Sequence, residues 1–513
     1  MSKRQNPPAS GSQKKKAPQK PRSERSSKRK SSNAAKGSKR RLEKPGQQWE
    51  IKHPHAAGID IGSRTHFVAV GQEKADVRAF DSTTPGLRKM IQWLKERGVE
   101  HAAMESTGNY WMPVFEIIAD EGLGVVLVDA HQTRHVAGRK SDQSDAQWIQ
   151  QLHTYGLLSA AFRPAEEICR LRTLVRHRKS LVEESSMATL HMHKMLDEMN
   201  LHLHHTLSDL TGVSGLAILE AILRGERDPA QLAGLVDPRV KTSRAQIEAA
   251  LTGNYREQSL FVLGQALESY RHKQGQLAEC DRYIEEWLGH LSRQAASKRT
   301  EKADAASEVG AIDPAASSVP AAGKSKPRKS KTASRNAQKI AQTELLAARL
   351  KAIIGVDLTA VPGLGILAIF TLLSEIGTEM SRWRNAKAFV SWLGLCPNHK
   401  ISGGRVLSRG SRRVVSRAAT ILRVAATTIG KTDTPLGCFF RRKRAQLGAP
   451  KAITATARKL ACLVYQMIQT QTEYRAMDGS AYEQAYTAHR LKSLKRRAEE
   501  LGYELTERPA QAA

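Results

Sequence analysis

The stretch AAGIDIGSRTHFVAV, residues 56–70, decides how the chain is read. Two short apolar runs, GIDIG and THFVAVG, have the length and punctuation of neighbouring β-strands. One carboxylate, Asp60, stands inside the first run, with glycines on both sides. A lone carboxylate in a buried strand costs several kcal/mol unless something pairs with it. Either the run is a loop, or the strand holds that carboxylate against a cation or a phosphate.

Working outward, residues 51–160 alternate between strand and helix patterns. DVRAFD reads as a third strand, PGLRKMIQWLKERG as a helix, EHAAMES as a strand, WMPVFEIIADEG as a helix and GVVLVDA as a buried strand. That order predicts a mixed sheet flanked by helices. Residues 161–292 turn to long helical patterns, ICRLRTLVRHRKSLVEESSMATLHMHKMLDEM and ALESYRHKQGQLAECDRYIEEWLGHL, which read as paired amphipathic helices or a coiled-coil arm. Residues 293–340 are rich in Ala, Ser, Lys and Pro without apolar periodicity and read as a disordered insert. A compact, mostly helical segment follows at 341–475, and 476–513 carries a basic helical tail, HRLKSLKRRAEELGYEL.

Charge is the strongest global signal. The 513 residues hold 81 Lys and Arg against 50 Asp and Glu, a net +31. Residues 1–46 supply +14 of this and, within 1–50, read as a disordered basic arm. The rest of the chain still carries +17. Such a balance points to a polyanionic partner, nucleic acid first. The five cysteines form no CxxC pair, which fits reduced thiols in a cytoplasmic protein and argues against a disulfide frame or a Cys zinc site. No apolar run approaches the roughly 18–20 residues that span a bilayer. No apolar stretch follows the charged N-terminus as in a secretory signal.

Four carboxylates form a candidate constellation. Asp60 lies within its strand, Glu105 ends the strand HAAMES, and Asp142 and Asp145 lie in GRKSDQSDAQWIQQL. On a helix, positions i and i+3 share a face, so the last two point the same way. Crowded carboxylates repel unless a divalent cation sits among them. Hard oxygen ligands suit Mg²⁺ or Mn²⁺, and two such ions about 4 Å apart assist phosphodiester chemistry. Taken singly, a DxxD pair reads equally as solvated surface or as charge at a helix N-terminus, and Glu105 as an ordinary strand-end residue. An actin-like or sugar-kinase ATPase also starts with GIDIG, but needs a second DxG turn and a Gly-rich adenosine loop. The only later DG, in MDGS at 477–480, sits in a polar helical context.

GIDIGSRTHFVAV, MESTGNYW and KSDQSDA, followed by VPGLG and GLCPNHKISGGRVLSRGSRRVVSRAA, resemble the DEDD transposases of the Piv-type insertion-sequence family, also called bridge recombinases. The resemblance covers 51–160 and about 355–430. It implies an α/β RNase H-like (RuvC-like) catalytic domain, a helical middle and a mostly α C-terminal transposase domain. It maps the family's acidic positions onto Asp60, Glu105, Asp142 and Asp145. It also implies Mg²⁺ or Mn²⁺, donor and target DNA, a structured guide RNA (the bridge RNA) and a dimer or tetramer. The arm and the insert lie beyond the family core.

In the C-terminal segment, TAVPGLGILAIFTLLSEIG reads as two short helices joined by a turn. Gly363 and Gly365 there either present backbone N–H groups to a phosphate or make a packing corner. In HKISGGRVLSRGSRRVVSR, Arg405, Arg409, Arg412 and Arg413 suit phosphate clamping. Ser402 has no evident base nearby and on spacing alone reads as a flexible basic loop residue. The resemblance implies more for it: the serine at this SG position attacks the DNA backbone and joins covalently to it. Ser408 and Ser411 are neighbouring alternatives. Histidines 191, 193, 202, 204 and 205 do not share one helix face cleanly and read as solvated or RNA-facing.

Three functions follow for test: a guided DNA recombinase of an insertion sequence, a metal-dependent junction-resolving nuclease using water, or a non-catalytic nucleic-acid-binding protein. A cytoplasmic, nucleoid-associated location suits each.

Overall fold

The computed structural model describes residues 50–106, 108–133, 142–307, 331–398, 400–403, 405–408, 410–412, 414–476 and 478–506. The basic arm and the centre of the insert lie outside the described residues. The chain forms two compact units, residues 1–161 and 162–513.

The first unit is built on a five-stranded sheet in the order β3-β2-β1-β4-β5. Strands β1 (Ala56–Ile61), β2 (Thr65–Ala69) and β3 (Val77–Asp81) form an antiparallel meander. Strands β4 (His101–Glu105) and β5 (Gly124–Val128) add in parallel on the other side of β1. The strand expected at GVVLVDA is therefore an edge strand, and its first residues are only partly buried. Ala57, Ile59, Ala102 and Met104 point to one face and pack under helices α1 (Thr84–Glu96) and α2 (Trp111–Asp120). Helix α1 follows from its sequence. The Thr83 hydroxyl accepts the Gly86 N–H, Pro85 sits in the first turn, and Leu87, Met90, Ile91 and Leu94 make one buried stripe. A short helix α3 (Ala130–Thr133) follows β5.

The opposite face carries α4 (Asp142–Thr154). Gly58 makes this possible, because a Cβ there would collide with the Ala146 carbonyl and the Gln150 backbone. Helix α4 runs antiparallel to β1. Thr154 O accepts from Lys52 N and His53 N at 2.9 and 3.1 Å, and Gln150 Nε2 donates to Ala56 O at 3.3 Å.

The second unit is mostly helical. Helix α5 (Glu166–Glu198) pairs antiparallel with a longer helix ahead, and α6 (Leu203–Thr206), α7 (Val213–Leu223), α8 (Pro229–Ala233) and α9 (Arg244–Leu251) fill the return between them. The longer partner is α10 (Glu257–Ser307). Arg178 meets Asp281, Gln274 Nε2 donates to Ser185 Oγ, and Trp287 Nε1 donates to Glu167 O, which fixes the antiparallel register. Along α5, buried Leu181, Ser185, Ala188, Met192 and Met195 alternate spacings of four and three, the seam of a coiled coil. Helices α6–α9 close a separate core with the end of α5 and the start of α10, around Leu196, Leu201, Ile218, Ile222, Leu251 and Leu263.

Helix α11 (Lys331–Ile354) packs on α10. Because α10 runs to Ser307 and α11 begins at Lys331, the described flanks of the segment expected to be disordered, 293–340, are helical. Ala, Lys and Glu favour helix even where no apolar stripe marks it. The remaining core gathers α12 (Ile366–Ile376), α13 (Ala386–Trp392), α14 (Arg417–Ile429), α15 (Pro435–Leu447) and α16 (Ala449–Thr470). Fully buried Phe389 contacts Trp383 edge-on at 4.8 Å, and the Tyr465 hydroxyl donates to Trp383 O at 2.9 Å. The tail forms α17 (Gly479–Glu500), tied to α15 by Arg442 with Glu483 and Tyr482.

Candidate active site

Strand register brings the first two carboxylates together. Ile59 pairs with Met104 in the parallel β1–β4 ladder, and Asp60 and Glu105 lie one step further along each strand. Side chains alternate across a sheet. Since Ile59 and Met104 face α1 and α2, Asp60 and Glu105 face the α4 side, at the C-terminal ends of neighbouring strands. Both are partly buried.

The second pair arrives by helix direction. Along α4, Thr154 lies by residues 52 and 53 and Gln150 by Ala56, while Ala146 lies by Gly58. One more turn toward the N-terminus carries the α4 backbone at Asp142 to the level of Asp60 and Ile61. Asp142 and Asp145 thus stand in the first turn of a helix that starts at the Asp60–Glu105 end of the sheet. The partial positive charge of a helix N-terminus favours carboxylates there in any case.

A supporting chain holds this end. The Thr133 hydroxyl donates to Glu105 Oε2 at 2.7 Å, and Trp148 Nε1 donates to Thr133 O at 3.3 Å. One carboxylate oxygen of Glu105 is therefore oriented by α3, which α4 in turn grips. Oxygen donors gathered from two strands and a helix N-terminus fit a hard divalent cation. Asp60, Glu105, Asp142 and Asp145 would hold it. No signal in the sequence marked Thr133. Gly58 did carry one, since an isolated glycine inside a strand implies close backbone approach.

Ser402 belongs to the second unit. It is not in an irregular loop, as its basic and glycine-rich surroundings suggest, but on a hairpin. Strand β6 (Lys400–Ser402) pairs antiparallel with β7 (Arg405–Ser408), Ser402 opposite Arg405, and Gly403 takes φ +54°. The positive φ of Gly403 is what a tight hairpin turn after Ser402 needs. Ser402 and Arg405 are exposed at its tip, and Arg412 is exposed beyond it. Arg409 and Arg413 lie outside the described residues. Ser411 bridges Pro397, and Asn398 N donates to Gly410 O at 2.8 Å, closing the base of the loop.

The VPGLG turn leads into α12. Gly363 has φ +83°, and a Cβ there would meet the Ala425 carbonyl and the Ile429 side chain of α14, so helix packing alone accounts for that glycine. Gly365 is the exposed N-cap of α12, with no side-chain cap. Behind the turn, Glu375 is buried and takes a two-pronged contact from Arg176 at 3.0 and 2.8 Å, with Arg172 and Arg417 at 3.7 and 3.8 Å. Burial pulls the Arg172 guanidinium below its usual range, and Glu375 opposes that shift.

Residues 57–201 match a family model described as Transposase, the DEDD type of the IS110 group. Residues 357–436 match a second model, described as Transposase IS116/IS110/IS902 family. No curated protein matches the chain. A mixed α/β acidic unit followed by a helical transposase segment defines an enzyme, a DNA transposase/recombinase. Both matches are to transposase models of the IS110 group, and they imply a DNA substrate and dependence on a divalent metal. No helix among the described residues is long and apolar enough to cross a membrane.

Proposed function

We propose that this chain cuts and rejoins DNA strands for the movement of an insertion sequence, through an RNase H-like (RuvC-like) acidic site and a serine nucleophile. The observation that carries the reading is the register of β1 and β4. It sets Asp60 beside Glu105 under the N-terminus of α4. The sheet order, with its antiparallel meander and two added parallel strands, supports the RNase H-like assignment.

Asp60, Glu105, Asp142 and Asp145 hold Mg²⁺ or Mn²⁺ in this reading. When bound, the cation neutralises charge developing on the scissile phosphate. Ser402 Oγ attacks a backbone phosphorus, a phosphoserine bond forms, and the P–O bond to the departing strand breaks. The serine proton ends on the departing oxygen. The phosphoserine keeps the bond energy for rejoining, which hydrolysis would lose. In this reading the exposed Arg405 and Arg412 hold flanking phosphates, with Arg409 and Arg413 as further candidates by sequence. Gly365 is a candidate backbone contact, and Gly363 a weaker one. The net +31 suits a bound guide RNA that selects donor and target by base pairing. A dimer or tetramer, cytoplasmic and associated with the nucleoid, is the expected working form.

The alternative is a junction-resolving nuclease that uses water. It uses the same carboxylates, with Ser402 as an ordinary exposed hairpin residue. The deciding experiment starts by sequencing nucleic acid that co-purifies with the protein from its host. A discrete structured RNA encoded beside the gene supports guidance, and random fragments count against it. Incubation with that RNA and labelled DNA carrying the element ends should then trap a protein–DNA adduct on a denaturing gel. Ser402→Ala should abolish the adduct and keep RNA binding. Cleavage without an adduct would establish the resolvase reading.

A further inference from the structure

The return segment between α5 and α10 carries a group of histidines that the acidic chemistry does not use. One ring nitrogen from each of His202, His204 and His205 lies within 4.8 Å of the others. The sequence spacing argued against a common helix face. The structure brings these side chains together by a turn instead. Asn200 ends α5 with φ +58°, His202 precedes α6, and His204 and His205 lie on its first full turn.

The backbone beneath them is fixed. Leu201, Leu203 and Leu207 are buried in the local core, and His202 N donates to Ala250 O at 2.9 Å. Hydrogen bonding also selects which nitrogens are basic. Asn200 Oδ1 can only accept, so its 3.0 Å contact makes His202 Nε2 the N–H donor and leaves Nδ1 with its lone pair. That Nδ1 is buried and has no hydrogen-bond partner. A buried basic nitrogen left unmatched costs free energy that a ligand would recover. His204 Nδ1 faces Asp197 Oδ1 at 3.4 Å, the arrangement in which a carboxylate orients an imidazole whose other nitrogen binds metal. His193 stands one turn before Asp197 on α5, its ring 5.9 Å from His204.

We propose that His202, His204 and His205 form a binding site for a borderline transition-metal ion of the Zn²⁺ class, separate from the carboxylate site. Three neutral imidazoles select Zn²⁺, Co²⁺ or Ni²⁺ over Mg²⁺, which prefers oxygen. At Zn–N distances of about 2.0–2.1 Å, the rings need only side-chain adjustment to close. The fourth position is open to water or His193. The ion pins α6 to the end of α5.

The test is titration of the untagged, metal-stripped full chain with Co²⁺ alone, read by visible absorption. One equivalent should give the intense bands of a four-coordinate nitrogen site, and Zn²⁺ should displace them. His204→Gln with His205→Gln, both on partly exposed side chains, should remove the bands without changing the metal-free melting curve. Asp197→Asn should weaken binding by about 10–100-fold. Absence of the bands in the natural chain, or their persistence in the double variant, overturns the proposal. Loss of co-purified RNA in the double variant, with no Co²⁺ bands in the natural chain, would establish RNA-facing histidines instead.

Discussion

Gly58 of β1 and Gln150 of α4 pass so closely that a Cβ on the glycine would lie 2.8 Å from the Gln150 Cα. That approach sets the height of α4 on the sheet, and therefore where Asp142 and Asp145 begin. Gly58→Ala should cost about 1–3 kcal/mol from overpacking. It should also lower strand cleavage about 10²-fold, the penalty of displacing catalytic groups by roughly 1 Å. Paired melting curves and cleavage assays check this. Full activity in a folded G58A protein would refute the placement.

Asp60→Asn and Glu105→Gln should each lower cleavage by roughly 10³-fold while DNA binding persists. Thr133→Val removes the 2.7 Å hydrogen bond that orients Glu105. It should cost about tenfold and raise the divalent-ion concentration needed for half-maximal rate. An equal loss in Thr133→Val and Glu105→Gln would mean that Thr133 does more than position the carboxylate.

Glu375 is 9% exposed and faces Arg172, Arg176 and Arg417. Removing its charge strands half-buried guanidiniums, so Glu375→Gln should destabilise the second unit by about 3–5 kcal/mol. Lys194→Ala breaks only the exposed Lys194–Glu198 pair and should cost less than about 1 kcal/mol. Urea unfolding of the two variants should separate them clearly.

Acid should loosen the first unit. Burial, then the neighbouring His53 and His101, push His153 from 6.5 down to about 4. The His53 ring stacks on it at 4.7 Å. Burial also lowers His66. Above pH 6.5 the neutral rings cost nothing. As pH falls from 6.5 toward 4, the unfolded chain takes up protons that the folded unit refuses, so stability declines through that window. After allowance for solvent screening, His153 accounts for at most about 2 kcal/mol of this. His153→Gln should flatten the decline in melting temperature between pH 6.5 and 4, and an unchanged slope would assign the decline elsewhere.

The sheet and its long helices were legible because their patterns are local. GIDIG, HAAME and the α1 stripe each announce one element, and the 4–3 spacing in α5 announces a seam. The β1–β4 register was not legible, since it depends on residues 45 positions apart. The hairpin at Ser402 was within reach through SGGR, but its arginines favoured a loop reading. Helices α6–α9 escaped because they are short, and α7, VSGLAILEAIL, is apolar almost all round, which blurs any periodicity. The histidine cluster was hidden for a related reason: His202 is the non-helical N-cap of α6, so no helical period relates it to His204 and His205.

The α5–α10 pair also has a kinetic meaning. Helix α5 leaves its core at Glu198 and α10 returns at Glu257, and the interval folds around its own apolar centre. The entropy of closing so long a loop grows only with the logarithm of its length. A return segment that collapses through its own short-range contacts meets that cost before the two long helices touch. Within this pair, Trp287 with Glu167, 120 residues apart, lies farthest from the closed end, so a zipper that starts at the return segment reaches that contact after Gln274 with Ser185.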